Sequence, residues 1–427
     1  DSVTVTFESD QAAAFNFDSA NQDFETVNLV FNGTTGTGTD ITLASVQAGT
    51  ETVVLTSASN DIEVTDIEAG TVDATAVAND LTLGSNDNAD MEISGGSADN
   101  TVTFTGAATD EVTVITQGGD DDVTVITTTG EATLILGDGT NTVSATGVLA
   151  GAGQLTVTGG AGQDTVTANA ATTGSIYAGL GAGLNSLSAT GLTTGSLSYE
   201  GGAGDDDVTA TALTSGEVAL VLGDGDNSVT LDGVFAGVDV SGSAGEGDDT
   251  VTIDDATNAA DSIVFDLGIG SNTLVISEDI TAGTVTITGM DILDVNGDAA
   301  TALVDVAMLN GATVELRGNG TPTDLLAMEV DATTDVDYDF SNLTINNSIN
   351  NAIGGVTIDD PNNNDSNYVL TAGNDTITSG TGDSNITGGE GRDNVNGEAG
   401  DDVYYINSMD DLIQTGDTVA VNDDTNT

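Results

Sequence analysis

The sequence predicts an all-β protein built as a stack of short coils, and three observations predict it. Thr, Val, Gly, Asn and Asp dominate, with two prolines, no tryptophan and no cysteine, which is a vocabulary of strands and tight turns. The apolar residues, 38% of the chain, fall in short alternating runs such as "SVTVTF" and "QLTVTG", the period of a half-buried strand. A glycine turn followed by such a run then recurs along the chain, and internal repeats of this length signal stacked units.

The recurrence is clearest from about residue 119 to 275. It reads "GGDDDVTV" from Gly118, "GDGTNTVSA" from Gly137, "GGAGQDTVTA" from Gly159, "GAGLNSLSA" from Gly181, "GGAGDDDVTA" from Gly201, "GDGDNSVTL" from Gly223, "GEGDDTVTI" from Gly245 and "GIGSNTLVI" from Gly268. The aliphatic residues Val123, Val143, Val166, Leu187, Val208, Val229, Val251 and Leu274 mark one column with separations of 20 to 23 residues. One structural unit therefore occupies about 21 residues. Two places before the column, Asp121, Asp164, Asp206 and Asp249 alternate with Asn141, Asn185, Asn227 and Asn272. Weaker copies, "SNDIEV", "ANDLTL" and "ADNTVTF", extend the body upstream to about residue 58.

A unit this short buries its aliphatic face only against its neighbours, so the expectation is a β-solenoid with parallel β-helix-like repeats, one coil per unit. An antiparallel β-sandwich with one hairpin per unit is the competing architecture. The segments are read as an N-terminal β cap (1–57), a repetitive body (58–290), an irregular β segment ending in the linker "DDPNNNDSN" (291–365), a second repeat region (366–405) and a tail (406–427).

Charge narrows the function. Seventy acidic residues face two basic ones, Arg317 and Arg392, with no lysine or histidine, for a formal net charge of −68. Nothing here neutralises phosphates, which argues against nucleic acid and anionic membrane surfaces as partners. No apolar run reaches a membrane-spanning length. Fifty-four of the acids are Asp and sixteen are Glu, and the short aspartate arm suits turns and metal ligation, so calcium is the leading expectation and general salt adaptation the plainer one. Without His, Cys or Lys there is no usual nucleophile and base pair, and the chain is expected not to be an enzyme. The first residue is Asp, not Met, as expected if a leader has been removed or the sequence is an excerpt.

From residue 370 the frame shortens to "LTAGNDTI", "SGTGDSNI", "GGEGRDNV" and "GEAGDDVY", which sets Asp375, Ser384, Asp393 and Asp402 nine residues apart. A hard dication takes six to eight oxygen ligands, and glycine turns let carbonyls converge while aspartate supplies charge. These residues resemble the RTX family of secreted calcium-binding repeat proteins, firmly over about forty residues and more loosely through the body. The resemblance implies a C-terminal β-roll with several calcium ions, held by Asp375, Asp393 and Asp402 with the carbonyls of Gly389, Gly391 and Gly400. Ser384 departs from the pattern, and its neighbour Asp383 is the candidate substitute; Asp401 adjoins Asp402 in the same way. In the body, Asp121, Asp164, Asp206, Asp207, Asp224, Asp226, Asp248 and Asp249 stand at equivalent corners, as calcium ligands or as turn-capping residues. Ser and Thr flanking the aliphatic column, as in "TVT" at 165–167 and "SLS" at 186–188, would form a hydroxyl ladder. That ladder is similar to the ice-binding faces of some calcium-dependent β-helical adhesins, although strand propensity alone accounts for it.

Composition and C-terminal repeats together resemble those of RTX-bearing bacterial surface-layer proteins. The expected function is a secreted, calcium-dependent structural subunit of a surface layer or biofilm matrix, its partner further copies of itself and possibly cell-surface polysaccharide. A calcium-rigidified adhesin or ice-binding segment of a larger surface protein is the alternative.

Overall fold

A computed structural model describes residues 1–8, 11–17, 24–32, 41–48, 52–85, 90–106, 111–126, 130–146, 153–169, 174–212, 215–233, 238–254, 262–277, 284–295, 301–305, 309–318, 325–329, 337–345, 356–360, 365–391, 393–405, 412–413 and 418–420. It divides into two compact units, Asp1–Gly225 and Asp226–Thr427.

In the first unit successive coils give strands alternately to two parallel sheets. One sheet runs from Ser2–Phe7 through Thr26–Phe31 and Thr52–Ser57 to Gln154–Gly159, Ser175–Gly181 and Leu197–Gly201. The other includes Asn100–Thr105, Asp122–Ile126, Asn141–Thr146, Asp164–Asn169, Ser186–Thr190 and Asp207–Thr211. The pairing is parallel and in register, so the antiparallel sandwich is ruled out in favour of the solenoid. The aliphatic column is real and faces inward: Val102, Val123, Val143, Val166, Leu187 and Val208 pair in sequence, and each is at most 1% exposed. Opposite it, Leu155, Ile176, Leu197 and Val218 form the matching buried column of the first sheet. Period-two alternation turns the intervening hydroxyls outward, so that Thr103, Thr124, Ser144, Thr167, Ser188 and Thr209 stand in one register column.

Within 1–57, read above as a cap, the strands Ser2–Phe7, Thr26–Phe31 and Thr52–Ser57 carry the same parallel ladder as the coils after them, with Ser2 against Thr26 and Thr26 against Thr52. Phe7 and Phe31 stack at 5.4 Å between ring centroids, and Phe7 meets Phe15 edge-on at 5.2 Å. Aromatic bulk here replaces the short aliphatics of the body, which hides the repeat in the sequence.

The second unit continues the pattern in its own coils. Ser228–Asp232, Thr250–Asp254, Thr273–Ile276, Ile292–Val295, Glu315–Gly318 and Thr344–Ile345 make one parallel sheet, which extends into the segment read as irregular. Beyond it the coil shortens. Val356–Asp359, Thr376–Thr378 and Asn394–Asn396 pair along one face, and Asn367–Val369, Asn385–Thr387 and Val403–Tyr405 along the other. From Asn367–Val369 to Val403–Tyr405 the strands are three residues long, with one tight turn between successive strands for each nonapeptide. Tyr338 stacks on Tyr368 at 5.3 Å between centroids, and Ile377, Ile386 and Val395 fill the narrow interior. Most of the tail, 406–427, lies outside the described residues, as does Arg392.

Candidate metal-binding ladder

The turn residues sort into two rows by parity. Asp121, Asp164, Asp206 and Asp249 share the facing of the aliphatic column and are at most 2% exposed, as are Asn100, Asn141, Asn185, Asn227 and Asn272. Asp207, Asp224, Asp226 and Asp248 point outward. The corner aspartates expected to act together are thus separated by the wall of the coil.

Inside, hydrogen bonds run from rung to rung. The Asn100 side-chain amide donates to Asp121 Oδ1 at 2.8 Å and its backbone N–H to the same oxygen at 2.9 Å. The Asp121 N–H then donates to Asn141 Oδ1 at 3.1 Å. Asn141 repeats the first pattern toward Asp164, with its amide at 2.7 Å. Asp164 N–H donates to Asn185 Oδ1 at 3.1 Å, and Asn185 N–H to Asp206 Oδ1 at 3.1 Å. In the second unit the Asn227 amide reaches Asp249 Oδ1 at 2.8 Å, and Asp249 N–H reaches Asn272 Oδ1 at 2.9 Å.

This explains the alternation. Neighbouring strands lie about 4.8 Å apart, so aspartate on every coil would stack like charges with a repulsion of about 3.5 kcal/mol at an effective dielectric of 20, against about 1.7 kcal/mol at twice the spacing. Asparagine also supplies the amide protons that the next carboxylate accepts. Burial still pushes the carboxyls of Asp121, Asp164 and Asp249 above the usual range, and that of Asp206 up to about 6.

The outer row is a second, wetter ladder. Asp99 Oδ1 accepts the Asp120 N–H, Asp120 Oδ1 accepts the Thr140 N–H and Asp138 Oδ1 accepts the Ala161 N–H, all at 2.8 Å. Asp226 and Asp248 do the same for Asp248 and Ser271.

In 366–405 the inner row changes character. Asp375 and Asp393 stand on one side of the coil, with the Asp375 N–H donating to Asp393 Oδ1 at 2.9 Å. Ser384 and Asp402 stand on the other, the Ser384 N–H donating to Asp402 Oδ1 at 2.8 Å. All four are at most 2% exposed. No asparagine intervenes between Asp375 and Asp393, so two carboxylates face each other across one coil, and burial raises the Asp375 pKa. Thr371, missed by the sequence reading, donates its hydroxyl to Asp375 Oδ1 at 2.8 Å and its N–H to Oδ2 at 2.9 Å. Asp383, the candidate substitute for Ser384, is exposed; it accepts the Asp401 N–H at 2.8 Å and belongs to the outer row with Asp365 and Asp401.

The glycines bring oxygen to these rungs. Gly389, Gly391 and Gly400 have φ of 83°, 113° and 142°, values that glycine adopts without cost. A side-chain carbon on Gly391 would stand 1.9 Å from the Gly373 carbonyl oxygen, one on Gly400 2.4 Å from that of Gly382, and one on Gly389 2.0 Å from that of Thr371. One on Gly388 would stand 2.5 Å from Asp393 Oδ2, and one on Gly397 2.4 Å from Asp402 Oδ2. Carbonyl and carboxylate oxygens therefore crowd the same turns. Among the described residues no three carboxylates cluster as a metal site; the oxygens at these turns are mainly backbone carbonyls, with inward aspartates at Asp375, Asp393 and Asp402 and a serine at Ser384. An all-oxygen set of this kind fits a hard dication. The carbonyls come from the coil before each glycine, a contribution that residue types alone do not reveal.

Residues 370–404 match the family model of the RTX calcium-binding nonapeptide repeat, in four copies. These repeats bind multiple Ca2+ ions. No curated protein and no solved structure matches the chain.

Proposed function

We infer that the protein is a secreted structural protein which calcium rigidifies and draws into an ordered extracellular array, a surface layer or matrix built of further copies of itself. The coarser part rests on the calcium repeats set in a parallel β-solenoid. Asp393 and Asp402, with Asp375 behind Asp393 and the carbonyls of Thr371, Gly373 and Gly382, would hold the ions; bound calcium would neutralise the facing carboxylates and tie successive turns together.

The observation that carries the array reading is the outer aspartate ladder on a chain with almost no cations. Asp99, Asp120, Asp138, Asp226, Asp248, Asp365 and Asp383 line the turns, and the chain holds only two basic side chains, of which Arg317 is paired with Glu315 at 2.8 Å. Two such surfaces repel unless dications bridge them.

A calcium titration followed by light scattering and imaging tests this reading. Sheets or filaments should form at millimolar calcium and disperse on chelation, with monovalent salt at equal ionic strength a poor substitute. The in-register hydroxyl column from Thr103 to Thr209 favours the second reading, an adhesin or ice-binding segment. Monomeric rods that slow ice growth or adhere to surfaces, with no assembly at any calcium concentration, would select it.

A further inference from the structure

The two sheets of the first unit share one repeat yet present different outer surfaces. On the sheet that runs through Val112–Ile115, Ala132–Gly137, Gln154–Gly159, Ser175–Gly181, Leu197–Gly201 and Gly216–Gly223, two register columns point outward, one from Thr113 to Ala219 and one from Ile115 to Val221. Five of their twelve residues are aliphatic or aromatic: Ile115, Ile135, Tyr177, Ala219 and Val221. The other sheet has three outward columns, from Thr101 to Asp207, Thr103 to Thr209 and Thr105 to Thr211, and among their eighteen residues Ile126 alone is of that kind. Strand propensity does not require this asymmetry, because threonine suits an outward strand position as isoleucine and valine do.

Ile135 and Val221 are 39% and 50% exposed and stand on one column, with Ile115 the register partner of Ile135. Acids are kept off this face. Of the 70 in the chain, Glu200 is the one within the twelve residues, and it accepts the Tyr177 hydroxyl at 3.1 Å. A side-chain carbon on Gly179 would stand 2.9 Å from that hydroxyl oxygen, so the glycine lets the tyrosine lie along the sheet and reach the acid. Exposed Glu111, Glu131 and Glu217 stand two residues before the first column and border the face.

Charge decides what such a face takes. Two chains of net charge −68 repel wherever their acids meet, and a cationic partner is drawn to the acidic turns instead of to a neutral sheet. A second copy can therefore approach most closely here, once its glutamate rim is screened. Six strands about 4.8 Å apart, each giving about four residues of about 3.3 Å, make a face of roughly 400 Å². A standard stable interface takes about 800 Å² from each partner, so the contact is weak in a pair and gains strength where many act together.

We propose that this outer face, from Ile115 and Ile135 across Tyr177 to Val221, is a calcium-independent contact between copies of this chain. The proposal rests on the array reading, and it gives the array an isologous apolar contact of a different kind from dication bridging at the turns.

Sedimentation equilibrium of the full chain in chelator and about 1 M sodium chloride, where the Debye length is about 3 Å, reads this contact without calcium bridges. Ile135→Thr with Val221→Thr keeps strand propensity and removes the apolar surface; Ile126→Thr removes an isoleucine that is 42% exposed on the opposite sheet. Wild type should dimerise, the double variant at least about tenfold more weakly, and Ile126→Thr within about twofold of wild type. Should the double variant melt early, Val221→Thr alone replaces it and should weaken the dimer about threefold. A wild type that stays monomeric, a double variant that associates like wild type, or an equal weakening by Ile126→Thr overturns the proposal. If calcium still drives the same preparation into sheets or filaments at low salt, the array reading stands without this contact; if neither association occurs, both fall. A monomeric wild type that binds neutral phosphatidylcholine vesicles, with binding lost in the double variant, assigns the face to a lipid surface and overturns a second copy as its occupant.

Discussion

The Asn141 side-chain amide donates to Asp164 Oδ1 at 2.7 Å across one coil, and the Asn141 backbone N–H reaches the same oxygen at 3.3 Å. One amide residue thus separates two buried carboxylates, Asp121 and Asp164, and holds the second in place. The stability of the body depends on which rung carries charge as well as on its aliphatic column.

Asn141→Asp puts a third carboxylate between Asp121 and Asp164 and removes the amide donors. It is expected to destabilise the calcium-free protein by about 3 kcal/mol or more at neutral pH, with much of the loss recovered at pH 5, where the new acid is protonated. Urea denaturation at the two pH values checks it; an equal loss at both would point to packing instead of charge.

Gly183→Ala tests the turn stack. Gly183 has a φ of 143°, and a side-chain carbon there would stand 1.5 Å from the Gly162 carbonyl oxygen. Backbone strain and overlap together should cost about 3 kcal/mol, read as a lower urea midpoint. The exposed Leu184 next to it should tolerate alanine within about 0.5 kcal/mol.

Without calcium, acid should stabilise the fold. Burial raises the carboxyls of Asp121, Asp164, Asp249 and Asp375, and Asp206 up to about 6 from 3.8. Between the unfolded and folded values the native state binds more protons, so stability is present at low pH and lost as pH rises through the folded value. Asp206 alone should make the chelated protein more stable at pH 5 than at pH 8 by on the order of 1 kcal/mol. Denaturation in chelator across this range measures it, and a midpoint that rises toward pH 8 would contradict the buried ladder.

Asp393→Ala removes the carboxylate whose Oδ1 accepts the Asp375 N–H. The calcium midpoint for folding of 366–405 should move to higher concentration, since carbonyls alone hold the ion less well. A calcium titration of wild type and variant by far-ultraviolet dichroism decides it; an unshifted midpoint would remove Asp393 from the ligands.

How much of this was legible depended on which signal the chain carried in residue types. The solenoid followed from the spacing of Val123, Val143 and Val166, because burial fixes that column and parallel stacking repeats it. The start of the stack was hidden, since Phe7 and Phe31 fill the first coils with a different shape. At the turns the sequence showed Asp206 and Asp207 as equal neighbours, yet parity sends one inward and the other out. The body rungs looked like ligands or turn caps; their ladder role depends on the Asn protons, which become visible once Asn141 is placed over Asp164. The carbonyls of Gly373 and Gly382 leave no mark in the sequence beyond the glycines they press against.

Amide hydrogen exchange along the chain, with saturating calcium and then with chelator, tests the central claim most directly. The N–H groups of Thr371, Asp375 and Ser384 donate to the Asp375, Asp393 and Asp402 carboxylates. If calcium organises these turns, peptides covering 366–405 should be protected in calcium and exchange freely in chelator, because ion binding there is folding free energy. Equal protection of 366–405 in the two conditions, at low ionic strength, would contradict the account.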